Sequence, residues 1–259
     1  MKIALLELIK GLKLIHIWKN LAWSDILQRY KRTVIGPLWG VITTGIIIVF
    51  VGPVYSKLFG QKLEEYFPYI ALSYILWNFL STLIQEMSNS LIASSEYIKH
   101  VSWPFPVYFY RCILRNLIVL SHNLIIAVPI VLYYSLISIK SVSFFFIGLG
   151  LVLFLSIGCG MILGVFCLRH RDIPQLITNF LNMLFFITPV FWSVSMLGEH
   201  TWMASINPMF HILEILRQPL LGKSASSLSY TTVLIMGFIL FFAGLAIYSM
   251  NRKKIAFWA

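Results

Sequence analysis

Three kinds of chemical site can be searched for directly in this sequence: a phosphate-binding loop, a metal site and a catalytic cluster. Gly222-Lys223-Ser224 resembles the end of a P-loop, but Arg217 stands where that motif requires its first glycine. The six histidines are scattered, and none belongs to an H-E-x-x-H pattern. No Ser-His-Asp or paired-carboxylate catalytic arrangement can be assembled from short spacing. We therefore expect a chain that is not an enzyme and binds neither metal nor cofactor.

The composition indicates the elements that must position any functional residue. Hydrophobic residues make up 59% of the 259 residues and charged residues 11%, and the mean hydropathy is +0.85. A soluble domain carries about 25% charged residues, so most of this surface must contact membrane lipids. The net charge of +11 would suggest nucleic acid in a soluble protein. In a membrane protein, cytoplasmic loops rich in Lys and Arg explain it better, and we expect no nucleic-acid partner.

Six uncharged runs predict six transmembrane helices. Each run holds at least 20 residues, enough to cross a hydrocarbon core about 30 Å thick. None alternates in polarity as barrel strands do. Without acidic or basic residues in these runs, ion-coupled transport is disfavoured and the energy for any transport must come from elsewhere. The runs are Thr33–Ser56, Tyr66–Gln85, Asn116–Ile139, Ser141–Leu168, Ile173–Gly198 and Ser224–Asn251.

The distribution of basic residues predicts the orientation. With the N-terminus in the cytoplasm, inside segments carry 15 Lys or Arg and outside segments carry 5, and this bias favours cytoplasmic termini. We expect residues 1–32 to form a cytoplasmic amphipathic interface helix and residues 33–251 a six-helix transmembrane domain. Residues 252–259 are expected to be a cytoplasmic tail. The interface helix could serve as an anchor only, or also contact a cytoplasmic partner.

Two further segments are predicted to be short helices. Residues 94–100 could form a polar helix on the cytoplasmic face, which Pro104 and Pro106 would terminate. This helix suits the docking of a partner, although a solvated connection is the alternative. On the other side, Asn207 could cap a helix that begins at Pro208 and is too short to span. This helix would be re-entrant or interfacial, with Glu214 and Arg217 able to pair at i, i+3.

Five motifs, in order, resemble permeases of ABC-2 type polysaccharide exporters. RYKRTVIGPLW at positions 29–39 resembles R-Y-x-x-T-x-L-G-x-x-W, with Ile35 where the family usually has Leu. Residues 69–79 resemble the second span, and residues 91–104 resemble a cytoplasmic segment that ends in F-P, with Trp103 in place of Phe. Residues 171–173 resemble R-D-[IL], followed by Thr-Pro-Val at 188–190. Residues 207–217 resemble N-P…E-x-x-R.

The resemblance implies an all-α homodimer of six-span subunits, with a channel formed largely by the first and fifth spans. Two copies of a separate ATPase, which would hold ATP and Mg, would dock from the cytoplasm. The implied cargo is a lipid-linked polysaccharide such as O-antigen, capsule or teichoic acid polymer. The implied location is the bacterial cytoplasmic membrane. A drug or lipid exporter is the first alternative. A membrane-embedded transferase for lipid-linked sugars is the second alternative. It should show a cluster of acidic or histidine residues at one membrane face, and the sequence contains none.

The resemblance also implies roles for particular residues. Four arginines could contact the pyrophosphate between lipid and glycan, or could simply anchor the cytoplasmic side: Arg29, Arg32, Arg169 and Arg171. Asp172 could instead cap the fifth helix. The substrate path and gate would contain Arg29, Tyr30, Arg32, Thr33, Ile35, Gly36, Trp39, Arg171 and Asp172. Aromatic residues that could stack on sugars, or else face lipid headgroups, are Tyr55, Phe59, Phe191 and Trp192. The ATPase would dock on Glu96, Tyr97 and Lys99. The extracytoplasmic gate would contain Asn207, Pro208, Glu214 and Arg217.

Overall fold

The computed structural model describes residues 1–31, 35–36, 38–136 and 138–259, and those parts are helical with no strand. The expected all-α membrane fold is therefore confirmed. A 3₁₀ helix covers Val194–His200. The α-helices are α1 (Lys2–Lys13), α2 (Ile15–Tyr30), α3 (Leu38–Leu58), α4 (Leu63–Asn89), α5 (Ser95–His100), α6 (Pro106–Tyr133), α7 (Ile139–Arg169), α8 (Ile173–Ile187), α9 (Trp202–Ser205), α10 (Pro208–Leu220) and α11 (Ser227–Trp258).

Within the described residues, five helices are long and apolar enough to cross a membrane, namely α3, α4, α6, α7 and α11. Helix α8 is apolar but has 15 residues, which extend only about 22 Å at 1.5 Å per residue. The prediction of an unbroken helix over 173–198 is wrong beyond Ile187. Thr188 precedes Pro189 and adopts an extended backbone, because a proline disfavours the α conformation in the residue before it.

Several helix boundaries differ from the uncharged runs of the sequence. Helix α6 begins at Pro106 and includes Arg111 and Arg115, and α11 continues through residues 252–258. The N-terminal segment is two helices rather than the single helix expected, with a break at Leu14. This break allows α1 to contact both α6 and α11, while α2 packs along α6.

The centre of the bundle is formed by α4 and by the paired helices α7 and α11. Helix α4 contacts α3, α6, α7, α8 and α10. Helices α7 and α11 approach most closely at Gly158 and Gly244, where a Cβ on Gly158 would lie 2.6 Å from the backbone of Leu240. Small residues at helix contacts allow backbones to approach in this way.

The two chain termini lie at the same end of the bundle. The Met1 amino group donates a hydrogen bond to Ser249 Oγ at 2.9 Å. Arg252 Nε donates to Glu7 at 2.6 Å, and the Tyr248 hydroxyl donates to the same carboxylate, also at 2.6 Å. We call this the termini end. The opposite end, where α3 meets α4 and α10 precedes α11, is the far end.

Candidate functional site

A groove runs between α3, α4 and α8, with a cavity of about 560 Å³. Aromatic side chains line its far end and amide side chains continue towards the termini end. We call it the central groove. All of its lining residues that the structure describes are uncharged: Ile47, Tyr74, Trp77, Asn78, Ser81, Thr82, Gln85, Leu181, Asn182, Phe185, Phe186 and Phe191.

Polar residues follow helical spacing on two of the helices that form the groove. Helix α4 contributes Asn78, Thr82 and Gln85, which all line the groove or its continuation. Helix α8 exposes Gln175, Asn179 and Asn182, and Gln175 Nε2 donates to Asn179 Oδ1 at 3.3 Å. Intervals of four and three place each set on one helix face. An amide exposed to hydrocarbon costs several kcal/mol, so this amide stripe of α8 is suited to water or a polar ligand, whereas the exposed Leu176 and Phe180 beside it are suited to lipid or another apolar surface.

Three of the four predicted stacking aromatics come together at the far end of the groove. The Tyr55 ring lies 5.6 Å from Phe59 and 5.4 Å from Phe191, between centroids. Phe191 also stacks on Tyr74 at 6.2 Å and meets Phe185 edge-on at 4.9 Å. Trp192 instead donates its Nε1–H to the Phe186 carbonyl at 3.1 Å.

Towards the termini end, the groove continues into a second cavity of about 330 Å³. The two cavities share Thr82 and Gln85. The second cavity is lined by charged side chains, among them Arg29, Glu86 and Arg111. We call it the charged cleft. Of the predicted path residues, Arg29 lies here.

Ion pairs surround the charged cleft and join α2, α4 and α6. Arg111 binds both oxygens of Asp25, at 2.7 and 2.5 Å. Arg115 bridges Asp25 at 2.6 Å and Glu86 at 2.8 Å. Arg29 reaches Glu86 at 3.1 Å. These ion pairs were not predicted from the sequence, although the acid and base types of Asp25, Glu86, Arg111 and Arg115 were a signal that they could pair across helices.

The other predicted path residues are placed apart from this cleft. Tyr30 and Gly36 line a separate cavity of about 630 Å³ beside α2. Gly36 has φ +60°, a left-handed conformation that favours glycine. Ile35 is exposed, and Trp39 is 60% exposed. Arg32 and Thr33 lie outside the described residues.

Arg171 and Asp172 are exposed where α8 begins. Asp172 occupies the N-cap position expected from the sequence, and Pro174 lies in the first turn, but the Asp172 side chain accepts no cap hydrogen bond. Neither residue lines the charged cleft among the residues described there. Their position continues the polar face of α8 towards its first turn.

The predicted docking helix is α5. Glu96 is exposed over 82% of its side chain and lies 3.9 Å from Lys99. Tyr97 stacks on Trp103 at 6.2 Å, and the Arg111 guanidinium carbon lies 5.5 Å from the Tyr97 ring centroid. The exposed residues of α5 are thus one contact away from the ion pairs of the charged cleft.

At the far end, the expected pair between Glu214 and Arg217 does not form. Glu214 accepts hydrogen bonds from the hydroxyls of Ser226 and Ser229 on α11. Arg217 turns towards α4, where its Nη1 donates to Tyr69 at 2.9 Å and to Ser73 at 3.0 Å. The prediction was wrong because α10 is not an exposed surface helix. It packs against α7, α11 and α4, and Glu214 bonds towards α11 while Arg217 bonds towards α4.

The buried segment after α8 is held by side chains from α4 and α10. Arg217 Nη1 donates to the Pro189 carbonyl at 2.6 Å, and the Tyr69 hydroxyl contacts the carbonyls of Pro189 and Trp192 at 2.9 and 2.8 Å. Asn207 Nδ2 donates to Thr188 at 2.8 Å. Non-helical backbone at membrane depth is tolerated when protein groups satisfy its polar atoms.

Asn207 and Pro208 begin α10 as predicted. Asn207 Oδ1 accepts the Met209 N–H at 3.0 Å, and Pro208 is the first helical residue. The same asparagine therefore caps α10 and fixes the end of α8, so Asn207 links these two helices.

Comparison with known proteins shows which family and which permeases this chain is similar to. The profile of the ABC-2 type transporter family matches residues 17–221. The O-antigen export system permease protein RfbA of Klebsiella pneumoniae is 22% identical over 241 residues, covering 90% of this chain and 91% of the relative. A second RfbA of that organism is 20% identical over 240 residues, with the same coverage. RfbA of Myxococcus xanthus is 19% identical over 201 residues, covering 75% of this chain and 76% of the relative.

The family match covers more than half of the chain and includes the groove, the charged cleft and the far-end segment. Together with the five long apolar helices, it identifies a multi-pass membrane protein that is a permease subunit and not itself the ATPase. This chain belongs to the ABC-2 type transporter family.

Proposed function

We propose that two copies of this chain form the membrane channel of an ATP-driven exporter for a lipid-linked polysaccharide such as O-antigen. The chain would lie in the bacterial cytoplasmic membrane with both termini in the cytoplasm. The observation that carries the proposal is the central groove, in which Trp77 and Phe185 lie beside Asn78 and Asn182. Sugar rings stack on aromatic faces, and amides satisfy hydroxyls that would otherwise cost several kcal/mol each in hydrocarbon.

The neutral character of the groove favours a glycan over an ionic cargo. Charged side chains begin only in the charged cleft, beyond Thr82 and Gln85. A lipid-linked O-antigen of neutral sugars has a phosphate-bearing end and an uncharged body, so this order of lining suits it. Arg29 and Arg111 would face the phosphate-bearing end as it enters from the termini side.

The exposed polar face of α8 supports a channel between two subunits. Asn179 and Asn182 face outward from a single copy, and a second copy would enclose them in a water-filled path. The sixth crossing would consist of α8 followed by the buried turn of residues 188–193, whose carbonyls at Pro189 and Trp192 are bound by Tyr69 of α4.

The partner ATPase would dock on the termini side, against α5 and the N-terminal helices. Glu96 and Lys99 are exposed there, and Tyr97 connects them to Arg111. ATP and Mg would be held by that partner. A movement of α5 would then be transmitted to the charged cleft through the contact between the Tyr97 ring and the Arg111 guanidinium.

The test is deletion of the gene, followed by staining of surface glycan and analysis of lipid-linked polymer inside the cell. Loss of surface glycan with internal accumulation of polymer is the expected result. Complementation with Asn182→Leu should restore little export, because a groove amide is lost. Ser121→Leu is the control, since Ser121 is exposed on α6 away from the groove. Unchanged surface glycan after deletion, or accumulation of a drug or free lipid instead, would reject this cargo.

A further inference from the structure

Arg217 is a buried cation that has no carboxylate partner among the residues that the structure describes. It is 1% exposed, and its Nη1 partners are the neutral oxygens of Tyr69, Ser73 and Pro189. No carboxylate of the described residues lies within 4.0 Å of its guanidinium nitrogens. The Tyr69 ring lies 4.4 Å from the guanidinium carbon, but buried charges in proteins are normally paired with an opposite charge, and no described residue supplies an anionic partner for Arg217.

The hydrogen bonds of this guanidinium to described residues are all made by Nη1. Arg217 Nε is buried and makes no hydrogen bond within the described part of the chain. Leaving a buried donor of a charged group unsatisfied is more costly than leaving a neutral one. The unused donor and the unpaired charge belong to the same side chain, and both point to an anionic acceptor.

A cavity of about 310 Å³ lies beside Arg217 at the far end. Its lining includes Lys223, Gln218, Ser193 and Ser195, all able to donate hydrogen bonds to an anion. Glu214 also lines it, and its Oε2 accepts hydrogen bonds from the hydroxyls of Ser226 and Ser229 at the start of α11. We call this space the Arg217 cavity.

We propose that the Arg217 cavity binds a phosphoryl group at the far end of the bundle. The two cations, the amide and the hydroxyls offer donors from several sides, which suits a tetrahedral phosphate better than a planar carboxylate. Tyr69, which contacts Arg217, lies six residues after Leu63, the first residue of α4, or about 9 Å along the helix. This depth is within reach of lipid headgroups. The site is separate from the central groove and does not depend on which cargo the groove carries.

Two probes distinguish the source of the phosphoryl group. The purified full chain in a neutral maltoside detergent is titrated with inorganic phosphate, or with short-chain phosphatidylglycerol, at constant ionic strength. The thermal unfolding midpoint is recorded at each concentration. A saturable rise with both probes assigns the site to phosphate itself, and a rise with the lipid alone assigns it to a headgroup. No saturable rise with either probe would overturn the proposal.

Variants then locate the site. Lys223→Gln should weaken the apparent affinity about tenfold, as expected for one charged contact. Lys57→Gln is the matched control, because Lys57 is an exposed far-end lysine outside the cavity, and it should bind like the wild type. Arg217→Lys keeps the charge but loses the planar fork, so it should bind more weakly than Lys223→Gln. If Arg217→Lys does not fold, the comparison of Lys223→Gln with Lys57→Gln still tests the site, because both lysines are exposed. Equal affinities for Lys223→Gln and Lys57→Gln would contradict the assignment.

Discussion

Arg217 Nη1 lies 2.6 Å from the carbonyl oxygen of Pro189, although Arg217 belongs to α10 and Pro189 to the non-helical turn after α8. Through this contact, α10 stabilises the buried turn that ends α8. Tyr69 on α4 contacts the same carbonyl at 2.9 Å. The far end of the groove is therefore fixed by side chains rather than by a continuous helix.

Replacing Tyr69 tests how much this turn depends on its side-chain partners. Tyr69→Phe removes one hydroxyl that contacts Pro189, Trp192 and Arg217. Because buried acceptors lose a donor, we expect a loss of about 1–3 kcal/mol in the free energy of unfolding, measured by SDS titration in mixed micelles. Tyr74→Phe is the control, since that hydroxyl makes no hydrogen bond among the described residues. Equal stability of the two variants would contradict the role given to Tyr69.

Close packing of α7 and α11 gives a second prediction. Gly158→Ala would place a Cβ 2.6 Å from the backbone of Leu240, so the helices must separate. Overpacking of this kind costs about 1–3 kcal/mol, and the thermal unfolding midpoint should fall. Gly150→Ala on the same helix meets nothing within 4 Å and should leave the midpoint unchanged or raise it slightly. A tolerated Gly158→Ala would show that the two helices do not pack this closely.

The ion pairs of the charged cleft should contribute more than a surface pair. Asp25→Asn removes the negative charge that pairs with Arg111 and Arg115, and the side chains of these two arginines are only 12% and 16% exposed. We expect the free energy of unfolding to fall by about 2–3 kcal/mol, somewhat less than for a fully buried pair. Glu96→Gln breaks an exposed pair and should cost less than about 0.5 kcal/mol. If both variants lose the same amount, the cleft is solvated and the ion pairs do not hold α2 against α6.

Charge reversal on α5 tests the docking surface. Glu96→Lys changes an exposed residue of the predicted contact, and it should weaken co-purification of the ATPase subunit about tenfold, equivalent to about 1.4 kcal/mol. The control is Glu64→Lys, which reverses an exposed charge in the first turn of α4 at the far end. Retention of the ATPase by both variants would remove α5 from the interface.

The sequence was sufficient for the fold class because apolar length and charge depletion act locally. The spacing of Gln175, Asn179 and Asn182 is also visible in the sequence. Such a polar stripe indicates a water-facing or ligand-facing surface only when the helix is known to be exposed there, and exposure depends on the tertiary structure. The start of α6 was missed because Arg111 and Arg115 interrupt the uncharged run while remaining inside the helix. Their partner Asp25 is 86 residues from Arg111 and 90 from Arg115.

The same reason explains the error at the far end. Local spacing paired Glu214 with Arg217, whereas tertiary contacts drew Arg217 to Tyr69, 148 residues away. Residue type and spacing cannot reveal a partner that distant. The break after Ile187 was signalled by Pro189, and the groups that make it tolerable at membrane depth came from α4 and α10.

The most direct test of the central claim is site-specific photo-crosslinking in cells that make the glycan and carry a hydrolysis-deficient ATPase partner. A photoreactive amino acid is placed at Asn78 or Asn182 in the groove, or at the exposed Ser121 on α6. We expect glycan-bearing adducts of the chain from Asn78 and from Asn182, and none from Ser121. Adducts from Ser121 alone, or equal yields at all three positions, would contradict the assignment of the central groove as the path of the polysaccharide.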